Sequence, residues 1–283
     1  MRKILIVSGL IVTLSGCSLQ KMAIRSTGGI LDYSLTALYE EDDLRLAEQA
    51  IASDLKLLEG LIKGDPGNEQ FLLLAAQGYG SYALGFAEDE DPLRARKFYR
   101  RGRDYGLQLL EQKKAFRLKD LETIQSTLRS FTEKDVPALF WTAYDWAGWI
   151  NLSLTDPVAL ADLPKVQAMM HRVLELDEGY FYGGAHLFFG TILAARPRML
   201  GGNPQKAQEH FQRCLELNQG KFLMTQLYYA RFYAVQVQDQ KLFQNLLQQV
   251  LDASLDLLPE QRLANALAKE KAKRLLQKME ELF

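Results

Sequence analysis

A set of residues recurs at an interval of 41. Lys165-Val166-Gln167, Arg172-Val173-Leu174-Glu175-Leu176 and Gly179 return as Lys206-Ala207-Gln208, Arg213-Cys214-Leu215-Glu216-Leu217 and Gly220. A third copy, Lys241-Leu242-Phe243 to Leu246-Leu247 and Val250-Leu251, follows at a shorter interval, and a weaker early one runs from Pro92 through Ala95 and Tyr99 to Leu109-Leu110. A period of this size marks a stack of small units, none of which can bury its apolar face alone. The units read as helix pairs. The first helix of each pair carries a small residue among bulky ones (Gly148, Gly190, Ala230 and, in the early copy, Gly78), where two helices can approach closely.

The periodicity is helical along nearly the whole chain. Leu44, Ala47, Ile51, Leu55 and Leu58 fall at three- and four-residue steps and share one helix face, which Gly64 ends. Four dipeptides, Asp65-Pro66, Asp91-Pro92, Asp156-Pro157 and Asn203-Pro204, predict helix starts. In each, the acid or amide accepts the free amides of the first turn, and proline suits the first helical position because its missing N–H is not needed there. Alternation never persists and no Asn-Gly or Asp-Gly hairpin turn occurs. The fold class is therefore all-α, a helical-hairpin, tetratricopeptide-like repeat array. The segment Pro259–Phe283 is expected to be its C-terminal capping helix. Leu263, Leu267, Leu275 and Met279 lie on one face of it beside Ala264, Ala268 and Ala272, with Lys269, Glu270, Lys273 and Lys278 opposite.

The N-terminus reads as an export signal. Arg2 and Lys3 precede an apolar run of roughly eleven residues, too short to span a membrane, which needs about 20. The run ends in Leu14-Ser15-Gly16-Cys17, which resembles the bacterial lipobox. Residues 1–16 are thus expected to be removed and Cys17 to carry the lipid anchor, leaving 17–283 as one helical domain. Ser18, where inner-membrane retention commonly uses aspartate, favours the outer membrane. The chain has two cysteines, so lipidation of Cys17 leaves Cys214 without a disulfide partner, a small core residue among helical apolar positions. The mature chain keeps all 35 acidic residues and 32 of the 34 basic ones, a net charge near −3 that argues against nucleic acid as a partner.

Catalytic chemistry has no candidate. His171, His186 and His210 sit in different helices with no i, i+4 pair, so no metal site is expected. Glu88-Asp89-Glu90-Asp91 lacks the glycine and terminal glutamate of a calcium loop and reads as a solvated loop before a helix cap. Met199-Leu200-Gly201-Gly202-Asn203-Pro204 lacks a phosphate-loop pattern. One of its glycines is expected in the left-handed conformation that ends a helix. No cofactor is implied. Arg94, Arg96, Lys97, Arg100, Arg101 and Arg103 form the most basic stretch, with Arg96, Arg100 and Arg103 on one helix face. It reads as a solvated surface or as a contact for anionic lipid headgroups or an acidic partner.

The aromatic residues carry more information. Phe140, Trp141, Tyr144, Trp146 and Trp149 include all three tryptophans and cover most of one helix circumference, so that helix has no ordinary exposed face. Phe181, Tyr182, Phe188 and Phe189 follow in the next pair, and Phe222, Tyr228, Tyr229, Phe232 and Tyr233 in the one after. All lie on first helices. Inter-helix packing accounts for many of them. The rest suit an apolar pocket with hydroxyl or indole handles, for which Tyr144, Trp146, Trp149, Tyr182, Phe189, Tyr229 and Tyr233 are the candidates.

Ala195-Arg196-Pro197-Arg198-Met199-Leu200-Gly201-Gly202-Asn203-Pro204, with Lys206-Ala207 and His210-Phe211, is similar to a signature of the TRAP-transporter-associated T-component lipoproteins. The likeness continues through Gln238-Asp239, Leu242-Phe243 and Leu246-Leu247 to Pro259-Glu260, Arg262-Leu263-Ala264-Asn265, Ala268-Lys269, Lys271-Ala272 and Leu275-Leu276. It is strong from about Ala138 onward and loose before. The resemblance implies a periplasm-facing lipoprotein with cryptic tetratricopeptide helices that forms homotrimers. It also implies a periplasmic solute-binding protein, the transporter's P-component, as partner and a small hydrophobic molecule, an organic acid or lipid-like compound, as ligand. It supplies no catalytic residue. A helical-repeat scaffold for envelope assembly is the other reading.

Overall fold

In a computed structural model that describes residues 24–25, 28–114, 116–117 and 120–283, every regular element is a helix. The helices are α1 (Gly28–Tyr39), α2 (Leu44–Gly64), α3 (Glu69–Tyr82), α4 (Pro92–Lys114), α5 (Leu121–Leu128), α6 (Val136–Asn151) and α7 (Pro157–Ala161). They continue with α8 (Leu163–Leu176), α9 (Tyr180–Ala194), α10 (Pro204–Asn218), α11 (Met224–Tyr228), α12 (Gln240–Asp252), α13 (Arg262–Gln277) and α14 (Met279–Leu282). Two π turns, Ala83–Ala87 and Tyr229–Ala234, prolong α3 and α11. Cys17 and its leader lie outside the described residues.

The 41-residue repeat maps onto equivalent elements. Its two clearest copies are α8 and α10, each the second helix of a pair whose first helices are α6 and α9; the other pairs are α3 with α4 and α11 with α12. The small residues mark the close approaches. A Cβ added at Gly148 of α6 would stand 2.5 Å from the Tyr99 ring of α4, one at Gly190 of α9 would stand 3.1 Å from Phe211 of α10, and one at Gly78 of α3 would meet Leu55 of α2 at 2.9 Å.

Capping follows the expected chemistry at three of the four proline sites. The Asp91, Asp156 and Asn203 side chains accept from Arg94 N, Val158 N and Lys206 N at 3.0, 3.0 and 3.1 Å. Asp65 is the exception. It sits past the end of α2, buried and paired with Arg25, while Asn68, three residues on, accepts from Phe71 N and caps α3. A carboxylate with a cation at hand is stabilised more by that charge than by capping. Gly201 adopts φ +88°, as a left-handed stop requires.

Two buried clusters form the core. One gathers α2, α3, α4, α5, α6, α8 and α9 around Trp141, Trp146, Phe71 and Met170; the other joins α10, α11, α12 and α13, around Phe211, Phe243 and Ala230, to further residues of α2, α3, α4 and α9 such as Ile51, Tyr82, Tyr99 and Ala194. Tyr144 of α6 and Phe181 of α9 pack against both. Helix α13 buries Leu263, Leu267, Ala268 and Ala272, packs on α12, and also touches α1 and α2. Its Lys271 pairs with Asp89, so the end of the array returns to its beginning.

Candidate ligand cavity

The space left where the two cores meet is a cavity of about 170 Å³. First helices supply most of its wall: Leu84 after α3, Tyr144, Ala147 and Gly148 of α6, Leu187 and Thr191 of α9, and Tyr228 and Phe232 at α11. Second helices add Tyr99 and Met170. A smaller chamber of about 70 Å³ shares Leu84, Tyr144, Phe181, Phe222 and Met224 with it and reaches Tyr39, Trp141 and Leu267. A larger opening, about 210 Å³, lies between α2, the first π turn and α13. Its walls carry charges that satisfy one another, Lys271 with Asp89 and Arg274 with Glu90 and Glu270. The apolar cavity is the better ligand site, because its wall is mostly apolar and aromatic and no ion pair among the described residues crosses it.

Local backbone irregularities shape that wall. In the first π turn Glu88 N donates to Ala83 O at 2.8 Å, a five-residue step, and both Leu84 and Glu88 face the cavity. The second π turn follows Tyr228 and carries Phe232, the same four-residue pair of positions. Such widened turns re-aim the side chains around them. At the start of α9, Phe181, Tyr182 and Gly183 adopt φ of 47°, 61° and 80°. Left-handed geometry costs an L-residue roughly 1–2 kcal/mol. Buried polar groups hold the turn. The Cys214 thiol donates to the Tyr182 and Gly183 carbonyls at 3.4 Å, and Asn218 Nδ2 donates to Tyr182 O at 3.2 Å and to Thr225 Oγ1 at 3.0 Å. Cys214 is thus a core residue, as its sequence context predicts, with a role in fixing Phe181. Burial raises its thiol to about 11.

One end of the cavity is polar. The Tyr99 hydroxyl donates to Glu88 Oε2 at 2.7 Å, and the Tyr144 and Tyr228 hydroxyls lie within the field of the same carboxylate. Burial holds Tyr99, Tyr144 and Tyr228 above the ordinary phenol range, and Glu88 adds to the effect. The acidic run at 88–91 is therefore not a uniformly solvated loop: Glu88 turns inward, Asp89 meets Lys271 and Asp91 caps α4.

The seven aromatic candidates separate. Tyr144 lines both chambers. Trp146 is completely buried in the core, and Trp149 lies under the Arg103 guanidinium, 4.8 Å from its ring centre. Tyr182 stacks on Phe222 at 4.9 Å, Tyr229 on Phe211 at 4.8 Å, and Tyr233 donates to Gln208 at 3.1 Å. Phe189 packs against the rings of His171 and His210. Reading by helix face misses Tyr99, Glu88 and Tyr228, which the π turns and the close approach at Gly148 bring together.

The basic face also divides. Arg96 and Arg100 are exposed and make no ion pair among the described residues, whereas Arg103 pairs with Asp104 and covers Trp146 and Trp149. Beneath it Asp145 is fully buried, its carboxyl set against the backbone at Gly80 and Gly102 with no hydrogen-bond partner among the described residues. Burial raises it well above the usual carboxylate range, against the pull of Arg103. The histidines, separate in sequence, also meet. His186 Nδ1 stands 2.9 Å from His210 Nδ1, and His186 Nε2 stands 3.2 Å from Glu178, which Arg213 also holds.

Residues 40–283 match the family described as TRAP transporter T-component. The chain belongs to that family. It is also 26% identical, over 95% of its length and 94% of the relative's, to an uncharacterized protein of Treponema pallidum (strain Nichols). T-components are envelope-associated transporter accessories rather than a known enzyme family. In this T-component no helix among the described residues is long and apolar enough to cross a membrane.

Proposed function

We propose that this T-component is a lipoprotein, tethered through Cys17 after loss of residues 1–16, that faces the periplasm. There it binds the solute-binding P-component of a tripartite ATP-independent transporter together with a small hydrophobic ligand. The observation that carries this reading is the largely apolar cavity lined mainly by the first helices of four successive pairs. A cavity of about 150 Å³ lined by apolar side chains stays dry and takes up a benzene-sized molecule. A repeat array also presents a broad surface for a protein partner, and a lipid anchor keeps it at high local concentration beside a membrane transporter. Trimer formation and residence at the outer membrane belong to the same proposal. Exposed Arg96 and Arg100 would serve the partner or headgroup contact.

Solvent extraction of the purified mature domain, followed by mass spectrometry, tests the ligand. The wild-type protein should release a small apolar molecule, and Ala147→Leu, which fills the cavity wall, should release none. An empty wild-type protein that also takes up no added apolar compound would remove the reading.

A further inference from the structure

The cavity's charge is as distinctive as its shape. Among its lining residues Glu88 is the only charged group, and no lysine, arginine or histidine reaches the wall. Glu88 forms no ion pair among the described residues; its single protein donor is the Tyr99 hydroxyl, bound to Oε2. Its other oxygen, Oε1, has no protein donor there. A carboxylate on an apolar wall with no ion-pair partner can take an ammonium head, and a hydrogen bond between two charged groups is stronger than one between neutral groups. The groups nearest to it are the phenol hydroxyls of Tyr99, Tyr144 and Tyr228, which are neutral and leave its charge uncompensated. An anionic ligand meets the opposite situation: it would bring a second negative charge beside Glu88, with only tyrosine hydroxyls to solvate it.

Resting on the reading of this cavity as a ligand site, we infer that its ligand is an apolar amine, bound as the ammonium with its head at the Glu88 carboxylate and its body among Tyr144, Leu187, Phe188 and Phe232. Carboxylates should bind more weakly than the amine. The volume of the chamber suits a body of about one ring with a short chain, by comparison with cavities that hold benzene. Tyr99 acts as a positioning residue, since its hydroxyl holds Oε2 of the carboxylate at the cavity wall.

Titration calorimetry on the mature wild-type domain, using 2-phenylethylamine, 2-phenylethanol, phenylacetate and ethylbenzene, separates the head group from the body. The amine should bind about ten- to a hundredfold more tightly than phenylacetate, the range that a hydrogen bond to a charged group carries. In Glu88→Gln, which keeps an acceptor for Tyr99, the amine should fall to the level of the alcohol. Phenylacetate binding as tightly as the amine in the wild-type protein would overturn the inference, whatever the variant does. So would equal binding of ethylbenzene and the amine, though that result would leave the apolar-ligand reading standing. Binding of none of the four would remove both.

Discussion

Gly148 offers a test in which two effects of known size oppose each other. Replacing a helical glycine by alanine stabilises an exposed helix by about 0.8–1.0 kcal/mol. Gly60, exposed on α2 with nothing within 4 Å of an added Cβ, should show that gain alone. At Gly148 the same methyl would lie 2.5–2.6 Å from three atoms of the Tyr99 ring, where ordinary contact begins at 3.4 Å, so the ring must move by most of an ångström. Tyr99 is 2% exposed and tied to Glu88, and its free space is the cavity. Overpacking of this kind costs about 1–3 kcal/mol. Set against the helix gain, Gly148→Ala should destabilise by about 1 kcal/mol, a fall of roughly 2–4 °C in melting temperature for a chain of this size. Gly190→Ala should behave similarly, because Phe211 is fully buried and stacked on Tyr229 at its other face. Thermal melts of the three variants in parallel give the answer. If Gly148→Ala rises with Gly60→Ala, the close approach of α6 and α4 is not as described. The same variant should also weaken uptake of apolar ligands, since the displaced ring enters their space.

Other outcomes follow from the buried ionisable groups and the leader. The raised folded-state value of Asp145 means that the stability tied to its neutral form is complete below pH about 4 and is lost as pH rises toward the folded value. Asp145→Asn should therefore be more stable than wild type at neutral pH, by a margin that shrinks in acid, in denaturant titrations across pH 4–8. His210 has the opposite sense. Burial, with His186 second, lowers it to about 4, so the unfolded chain takes up protons first and stability falls as pH drops from about 6.5 to 4. His210→Gln should flatten that fall, and an unchanged slope would refute the assignment. Cys17→Ala should leave an unprocessed precursor that takes up no acyl label, and normal labelling would exclude Cys17 as the anchor site.

Much of this architecture could be read from the sequence for local reasons. Helix starts at Asp91, Asp156 and Asn203 were legible because capping depends on one side chain and its own first turn. Gly78, Gly148 and Gly190 were legible because a missing Cβ has few uses inside a helix. The aromatic helix α6 was correctly read as lacking an exposed face, since Val136–Ile150 contains no exposed residue. Its individual roles were not legible: rings at 100° intervals all around an axis give no preferred direction, and the partners that choose one are distant. Trp146 therefore went to the core and Tyr144 to the cavity. The π turns and the left-handed turn at Phe181–Gly183 have no local signature beyond Gly183-Gly184, and those irregularities aim Glu88, Phe181 and Phe232. The His186–His210 contact was hidden for a related reason, since it depends on the register of α9 against α10.

The central claim is that this T-component acts by contact with a periplasmic solute-binding protein. The most direct measurement is the mass of what elutes when its mature domain is co-expressed with the solute-binding protein from the same locus and passed through a sizing column with light scattering. A specific complex should bury at least about 1,000 Å² and survive at micromolar concentration. Its association should slow as salt rises if Arg96 and Arg100 take part, because exposed charges are screened within about 10 Å at 0.1 M. The account predicts one species carrying both chains. Separate elution of the two proteins, with and without an apolar ligand, would contradict it.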